Sequence, residues 1–225
     1  MKKLHKTHAL SLLIVLLWVS ATACTKNADN RAGNGNSNGL NLTNINQQIY
    51  CLPKDSLNQL EKNSLLFTRE EEKLARDVYV ALYQKWGANI FSNINSSEQT
   101  HMDAVKLLLD RYTLIDPAGT PGVFANTNLQ SLYSELVRQG EKSLLDAYKV
   151  GATIEDLDIY DIEQSIQGID NKDILLVYAS LVKASRNHLR SYYRNIIAAG
   201  GSYSPQYISK SQFDSIINSP METGH

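Results

Sequence analysis

The chain has 225 residues, a formal net charge of −1 and 43% hydrophobic residues. This length predicts one domain with some appended tail. No stripe of basic residues runs through it, so nothing in the sequence favours binding to nucleic acid. Only five histidines occur, and their positions are the most informative feature of the composition.

Residues 1–23 have the layout of a bacterial secretory signal of the lipoprotein type. A basic start is followed by an apolar run at 9–19, and small residues precede Cys24. The large aliphatic residue usual three places before such a cysteine is Ala21 here, so the lipobox is imperfect. We expect an exported protein anchored by a lipid on Cys24 to the periplasmic or outer surface of a bacterial membrane. The alternative is a plainly cleaved signal peptide, with Cys24 lost or free.

The rest of the chain divides by composition. Residues 24–46 are rich in Asn, Gly, Ser and Thr and predict a flexible tether, because they hold too little apolar surface to offset the entropy of ordering. Three further segments follow the signal and tether in our interpretation, namely a lead-in at 47–66, a helical domain at 67–218 and a disordered tail at 219–225. His5 and His8 would leave with the signal and His225 ends the chain, so the domain keeps only His101 and His188.

The domain predicts four main helices. Thr68 with Glu71 has the pattern of a capping box, so the first helix is expected to begin there and to stop at Gly87. The other main helices are expected at about residues 96–112, 142–167 and 171–199. Residues 89–95 are expected to be a short connection, and a long crossover between the second and third main helices should contain a short helix at about 129–139. Residues 202–218 are expected to form a tail that docks on the domain. No strand-period stretch stands out.

Metal-capable side chains fall on the inner faces of these helices. Glu98 and His101 are three residues apart and therefore share one face. Glu155 interrupts an apolar stripe, Asp158 flanks it one turn on, and His188 lies on the apolar stripe of the last helix. Burying a charge is costly unless it is paired or binds a metal, so together these positions predict a metal site.

The first helix leaves a choice open. Its three consecutive glutamates, at 70–72, could simply interact with the helix dipole at an N-terminus. Either Glu71 or Glu72 could instead reach inward, and helix geometry mildly favours Glu71. On the third helix, Asp156 and Asp161 look like solvated charges.

Several motifs together resemble a known group of proteins. Residues 72–79 (EKLARDVY) resemble the Glu-x-x-Ala-Arg-x-x-Tyr of the first helix in rubrerythrin-like proteins, and 97–101 (SEQTH) their Glu-x-x-His helix. Residues 155–158 (EDLD) and 185–188 (SRNH) resemble the motifs of their third and fourth helices. The whole of 68–218 is similar to a bacterial family of ferritin-like domains of unknown function, often exported. The resemblance implies an all-α, ferritin-like four-helix bundle with a long crossover between helices two and three and short accessory helices.

The resemblance also implies a ligand set. Glu98 would bridge two metal ions, and the first-helix ligand would be Glu72, with Glu71 the alternative. The terminal ligands would be Glu72, Glu155, His101 and His188, with Asp158 as an extra carboxylate. Ser185 stands where these proteins carry another carboxylate, so one or two iron ions would fit. Manganese or zinc would also suit carboxylate and imidazole ligands.

The activity stays open at this point. The resemblance implies iron-linked redox chemistry, either oxidation of ferrous iron or reduction of peroxide, but no catalytic residue is assigned and a homodimer is left open. The alternative is a non-enzymatic surface lipoprotein that binds a protein or sequesters metal.

Overall fold

The computed structural model describes residues 40–223, which are all-helical and contain no strand. The predicted signal, Cys24 and most of the predicted tether lie outside the described residues. The seven described helices are α1 (Leu42–Cys51), α2 (Gln59–Trp86), α3 (Asn89–Arg111), α4 (Thr127–Gly140), α5 (Leu144–Ile166), α6 (Lys172–Ala198) and α7 (Lys210–Ile217). Within 40–223, no helix has the length and apolarity needed to cross a membrane.

The four longest helices pack around a common interior. Helix α2 packs along α3 and α5 along α6, while α2 also contacts α5 and α3 also contacts α6. Each long helix therefore has two long neighbours. Helix α4 lies in the connection between α3 and α5, where a short helix was predicted, and packs on α2 and α5.

Helix α2 starts nine residues before the predicted Thr68. The side chain of Asn58 accepts a hydrogen bond from the backbone N–H of Glu61, and the Glu61 carboxylate accepts one from the N–H of Asn58. This capping box replaces the predicted one, which was wrong: Thr68 is buried inside the helix and donates to the hydroxyl of Tyr178. The glutamates at 70–72 therefore lie about three turns inside α2, beyond the reach of the helix dipole.

Two other helical stretches lie where a connection and a tether were predicted. Residues 89–95, expected as a connection, form the start of α3, and Phe91 and Ile94 are buried there. Helix α1 begins at Leu42, inside the predicted tether, because Ile45 and Ile49 share one face and are both buried. Spacings of three and four residues bring these apolar side chains to the domain.

The charged outer face of α2 holds the crossover. Glu70 accepts hydrogen bonds from the backbone N–H groups of Ala125 and Asn126. Lys73, fully buried, pairs with Asp77 at 2.6 Å and lies over the ring of Phe124. These charges are therefore buried and paired by the segment that covers them.

Glycine 151 allows a close approach in the middle of α5. A Cβ atom at this position would lie 2.3 Å from Cε1 of Tyr192 on α6. The Tyr192 ring in turn packs against Tyr79, with ring centroids 5.4 Å apart. Gly151 lowers the helix propensity of α5. In return, its missing side chain leaves room for the Tyr192 ring to pack against the α5 backbone.

The C-terminal segment docks on the domain, as predicted for 202–218. Phe213 and Ile216 of α7 are buried. The disorder predicted from 219 does not hold for 219–223, because Glu222 pairs with Arg186 at 2.5 Å and with Arg190 at 3.0 Å. Asp156, predicted to be solvated, is buried because it accepts hydrogen bonds from backbone N–H groups that follow α6.

Candidate metal centre

Five of the predicted ligand residues meet in the interior between the four longest helices. Helix α2 brings Glu72, α5 brings Glu155, and α6 brings His188, while α3 brings both Glu98 and His101. Their ligand atoms form two groups, each with all atoms within 4.8 Å of one another, and the groups consist of Glu72, Glu98 and His101, and of Glu98, Glu155 and His188. These buried groups could hold a metal ion.

The first group centres on His101. Its Nδ1 lies 2.7 Å from Oε2 of Glu98 and 3.1 Å from Oε2 of Glu72. Its Nε2 lies 3.3 Å from the hydroxyl of Ser97, one turn earlier on α3. The Ser97 contact orients the ring so that Nδ1 faces the two carboxylates.

The second group repeats this arrangement around His188. Its Nδ1 lies 2.9 Å from Oε1 of Glu98 and 3.4 Å from Oε2 of Glu155. The rings of His101 and His188 are nearly parallel, with centroids 5.6 Å apart. Each oxygen of Glu98 thus faces a different histidine, which makes Glu98 the common member of both groups.

Several of these atoms are close together without forming hydrogen bonds. Oε1 of Glu98 and Nδ1 of His188 lie 2.9 Å apart but are not aligned for a hydrogen bond, and both atoms lack any other partner, as does Oε1 of Glu72. Neighbouring ligand atoms that bond one metal ion at about 2.1 Å in octahedral geometry lie about 3 Å apart. The spacing and the missing hydrogen bonds therefore fit side chains that share a cation.

The electrostatics of the cluster show strong mutual dependence. Burial disfavours the charged form of Glu98, but the positive charges of His101 and His188 outweigh it and hold its pKa well below the usual range. Burial raises the pKa of Glu72 to about 7, although His101 opposes the rise. Burial lowers the pKa of His188, but Glu155 and Glu98 outweigh it and raise this pKa to about 10. Without a metal ion, the histidine charges compensate the carboxylates.

Aromatic side chains surround Glu155. The Tyr79 hydroxyl donates a 2.5 Å hydrogen bond to Oε1 of Glu155, and the Tyr192 ring packs beside that of Tyr79. Tyr79 is fully buried. This donor fixes one oxygen of Glu155 and leaves the other directed at His188.

Asp158 lies beside the two groups and belongs to neither. It is buried and hydrogen-bonds the hydroxyl of Ser185, which is also within hydrogen-bonding distance of the carbonyl oxygen of Leu181. Burial, followed by the charges of Glu72 and Glu155, raises the pKa of Asp158 well above its usual value. Ser185, which stands where rubrerythrin-like proteins carry a carboxylate, thus hydrogen-bonds to the carboxylate of Asp158.

Glu71 is placed away from the histidines. It is buried on α2 and faces Asp158 and Asp161 of α5. Consecutive helical residues point about 100° apart, so Glu71 and Glu72 cannot both reach the same group. Glu72 is the one that joins Glu98 and His101.

Comparison with known proteins identifies a family and a relative of this chain. Residues 61–220 match the family described as "Uncharacterized protein domain (DUF2202)". The chain belongs to this family. The uncharacterized protein MJ0754 of Methanocaldococcus jannaschii is 53% identical to this DUF2202 protein over 180 residues, which are 79% of this chain and 97% of the relative.

A solved structure agrees with this relationship. The crystal structure of the hypothetical protein MJ0754 superposes with a TM-score of 0.75 at 54% sequence identity, and the match covers 76% of this chain and 99% of that one. The names of the family and of this relative state no function, so function is inferred from the site itself.

Proposed function

We propose that this DUF2202 protein is a ferritin-like metal protein, in which a bundle of four helices holds one or two iron ions. Glu98 would bridge, and Glu72, Glu155, His101 and His188 would be the terminal ligands. One observation carries the proposal: the two oxygens of Glu98 each face the Nδ1 of a different histidine, at 2.7 Å and 2.9 Å. Bundles with two metal ions build such sites from carboxylates and histidines on facing helices.

The donor set supports iron but does not select it alone. Carboxylate oxygens and imidazole nitrogens, without a thiolate, also suit manganese and zinc. Bound iron would supply one-electron redox chemistry toward small oxidants such as oxygen or peroxide. The near-complete burial of Glu98, His101 and Glu155 excludes larger substrates from direct contact with these side chains.

The side chains around the site have separable tasks. Glu72 and Glu155 supply one carboxylate to each group, and their burial keeps water from competing. Tyr79 orients Glu155 through its hydrogen bond and can hold a proton next to the carboxylate. Asp158, held by Ser185, is an extra carboxylate beside the ligands.

The same burial also favours a second function, sequestration of metal without turnover. An ion held by such deeply buried carboxylates would exchange slowly and would be protected from reaction. Consumption of peroxide by the iron-loaded protein would favour redox function, whereas tight binding without consumption would favour sequestration.

In either case we propose that the protein is exported and carries a lipid on Cys24. Incorporation of labelled fatty acid into the full chain tests this, and the label should be absent from the Cys24→Ala variant.

The deciding experiment is elemental analysis of the full chain produced in iron-supplemented medium, beside the double variant Glu98→Ala/His101→Ala. We expect about one or two iron atoms per wild-type chain and none in the variant, because Glu98 belongs to both groups. The control Glu141→Ala removes an exposed carboxylate and should keep the metal. A folded wild-type protein that gains neither metal nor thermal stability from iron, manganese or zinc would overturn the proposal.

A further inference from the structure

A line of carboxylates leads from the metal centre toward the surface of α5. Glu155, Asp158 and Asp161 follow one another at intervals of three residues. Each interval advances about 4.5 Å along the helix and turns its face by about 60°. The line therefore winds from the buried interior outward: Glu155 and Asp158 are buried, whereas Asp161 is partly exposed.

Glu71 reaches this line from α2. Its carboxyl faces those of Asp161 and Asp158 on α5. It is only 5% exposed, yet both of its oxygens lack a hydrogen-bond donor. Ionised carboxyl groups only accept hydrogen bonds, so two that face each other are held together only by a proton or a cation between them.

An unpartnered carboxylate is an expensive group to bury in a helical interior. Glu70, the residue before Glu71, is satisfied by two backbone N–H groups, and Glu72, the residue after it, contacts His101. Glu71 has no such role in holding the fold or in the two histidine groups. Its placement between a partly exposed and a buried aspartate instead suits a group that binds a passing cation.

We propose that Asp161, Glu71 and Asp158 form a carboxylate path along which divalent cations travel between the surface and the metal centre. The inference rests on the proposed function, since a path needs a centre to serve. Carboxylate oxygens attract divalent cations, and a line of like charges in a low-dielectric setting focuses that attraction.

A path residue and a ligand have different signatures. Loss of a path residue slows arrival and departure of the ion by the same factor, so the dissociation constant does not change. Loss of a ligand raises the dissociation constant, mainly through faster release. Rates and affinity measured together therefore separate the two roles.

The test follows loading of Co²⁺ into the metal-free full chain by its visible absorption, and its release to excess chelator. The variants are Glu71→Gln and Asp161→Asn, with Asp170→Asn as the control because it removes the same charge from an exposed position. We expect both path variants to load and release Co²⁺ about tenfold more slowly than wild type, with an unchanged dissociation constant. The control should match wild type.

Unchanged rates in Asp161→Asn and Glu71→Gln would overturn the path while leaving the centre intact. A raised dissociation constant in Glu71→Gln would also overturn it and make Glu71 a ligand. Because Asp161 is partly exposed, its variant keeps the test decisive if Glu71→Gln fails to fold. Failure of the wild-type protein to bind Co²⁺, manganese, zinc or iron would count against the proposed function itself.

Discussion

The hydroxyl of Tyr79 donates a 2.5 Å hydrogen bond to Oε1 of Glu155, whose other oxygen lies 3.4 Å from Nδ1 of His188. The bond joins α2 to α5 at the site where the second histidine group forms. Loss of such an orienting contact lowers metal affinity by about 10–100-fold in other metal sites. We therefore expect Tyr79→Phe, which keeps the ring, to weaken metal binding within that range, as measured by chelator competition.

Tyr178→Phe is the matched control for that variant. The Tyr178 hydroxyl is also buried, but it bonds Ser64 and Thr68 instead of a candidate ligand. Its removal should lower stability by about 1 kcal/mol and leave metal affinity unchanged. Equal affinity losses in Tyr79→Phe and Tyr178→Phe would mean that the effect is structural and does not act through Glu155.

Gly151→Ala should destabilise the protein although alanine is the better helix former. The added Cβ would lie 2.3 Å from the Tyr192 ring, and overpacking costs about 1–3 kcal/mol, more than the roughly 1 kcal/mol gained in helix propensity. Urea denaturation measures the loss. Combined with Tyr192→Leu, the substitution should cost less than the sum of the two single variants; strict additivity would show that the overlap is relieved elsewhere.

Asn58→Ala should lower the free energy of unfolding by about 1 kcal/mol, because it removes the N-cap of α2. Asn63→Ala is a suitable control, since its side chain only accepts an exposed hydrogen bond from Gln59. If the helix began at Thr68 instead, Asn58 would lie in a loop and the two variants would behave alike. Urea denaturation of both decides between these starts.

Much of the candidate site is predictable because its signals are local. Glu98 and His101 are one turn apart on the same helix. Only two histidines remain in the domain, and both lie on apolar helix faces, which indicates a metal site. The choice between Glu71 and Glu72 could not be made from local sequence. Helix α2 is buried on most sides, so both side chains are buried against other helices. The choice depends on which neighbouring helix each side chain faces.

The missed helix starts have a different cause. The signal for α2 was present as Asn58 with Glu61 three residues later, but residues 58–63 are mostly polar and show no apolar stripe. Asp156 was misjudged because backbone N–H groups 50 and 52 residues later in the chain, at 206 and 208, donate to it. Hydrogen bonds between distant segments leave no trace in helical periodicity.

The ion pairs of Glu222 predict a pH dependence of stability. Hydrogen bonds from Arg186 lower the pKa of Glu222 from 4.5 to about 2. Partial burial opposes this shift, and hydrogen bonds from Arg190 add to it. The folded-state pKa is depressed, so the stabilisation is present in full above about pH 4.5 and is lost as the pH falls toward 2. Because the Glu222 side chain is 30% exposed, we expect at most about 1 kcal/mol of stabilisation from it.

Comparison of wild type with Glu222→Gln by urea denaturation isolates this contribution from other titrating groups. The difference in the free energy of unfolding should be constant from pH 7 to pH 5 and should shrink between pH 4.5 and pH 2, where the wild-type carboxylate also becomes neutral. The exposed Glu141→Gln, which forms no ion pair within residues 40–223, should show no such convergence. A difference close to zero at every pH would mean that Glu222 holds the C-terminal segment through its backbone N–H, which donates to Asn187 and remains in the variant, and not through its charge.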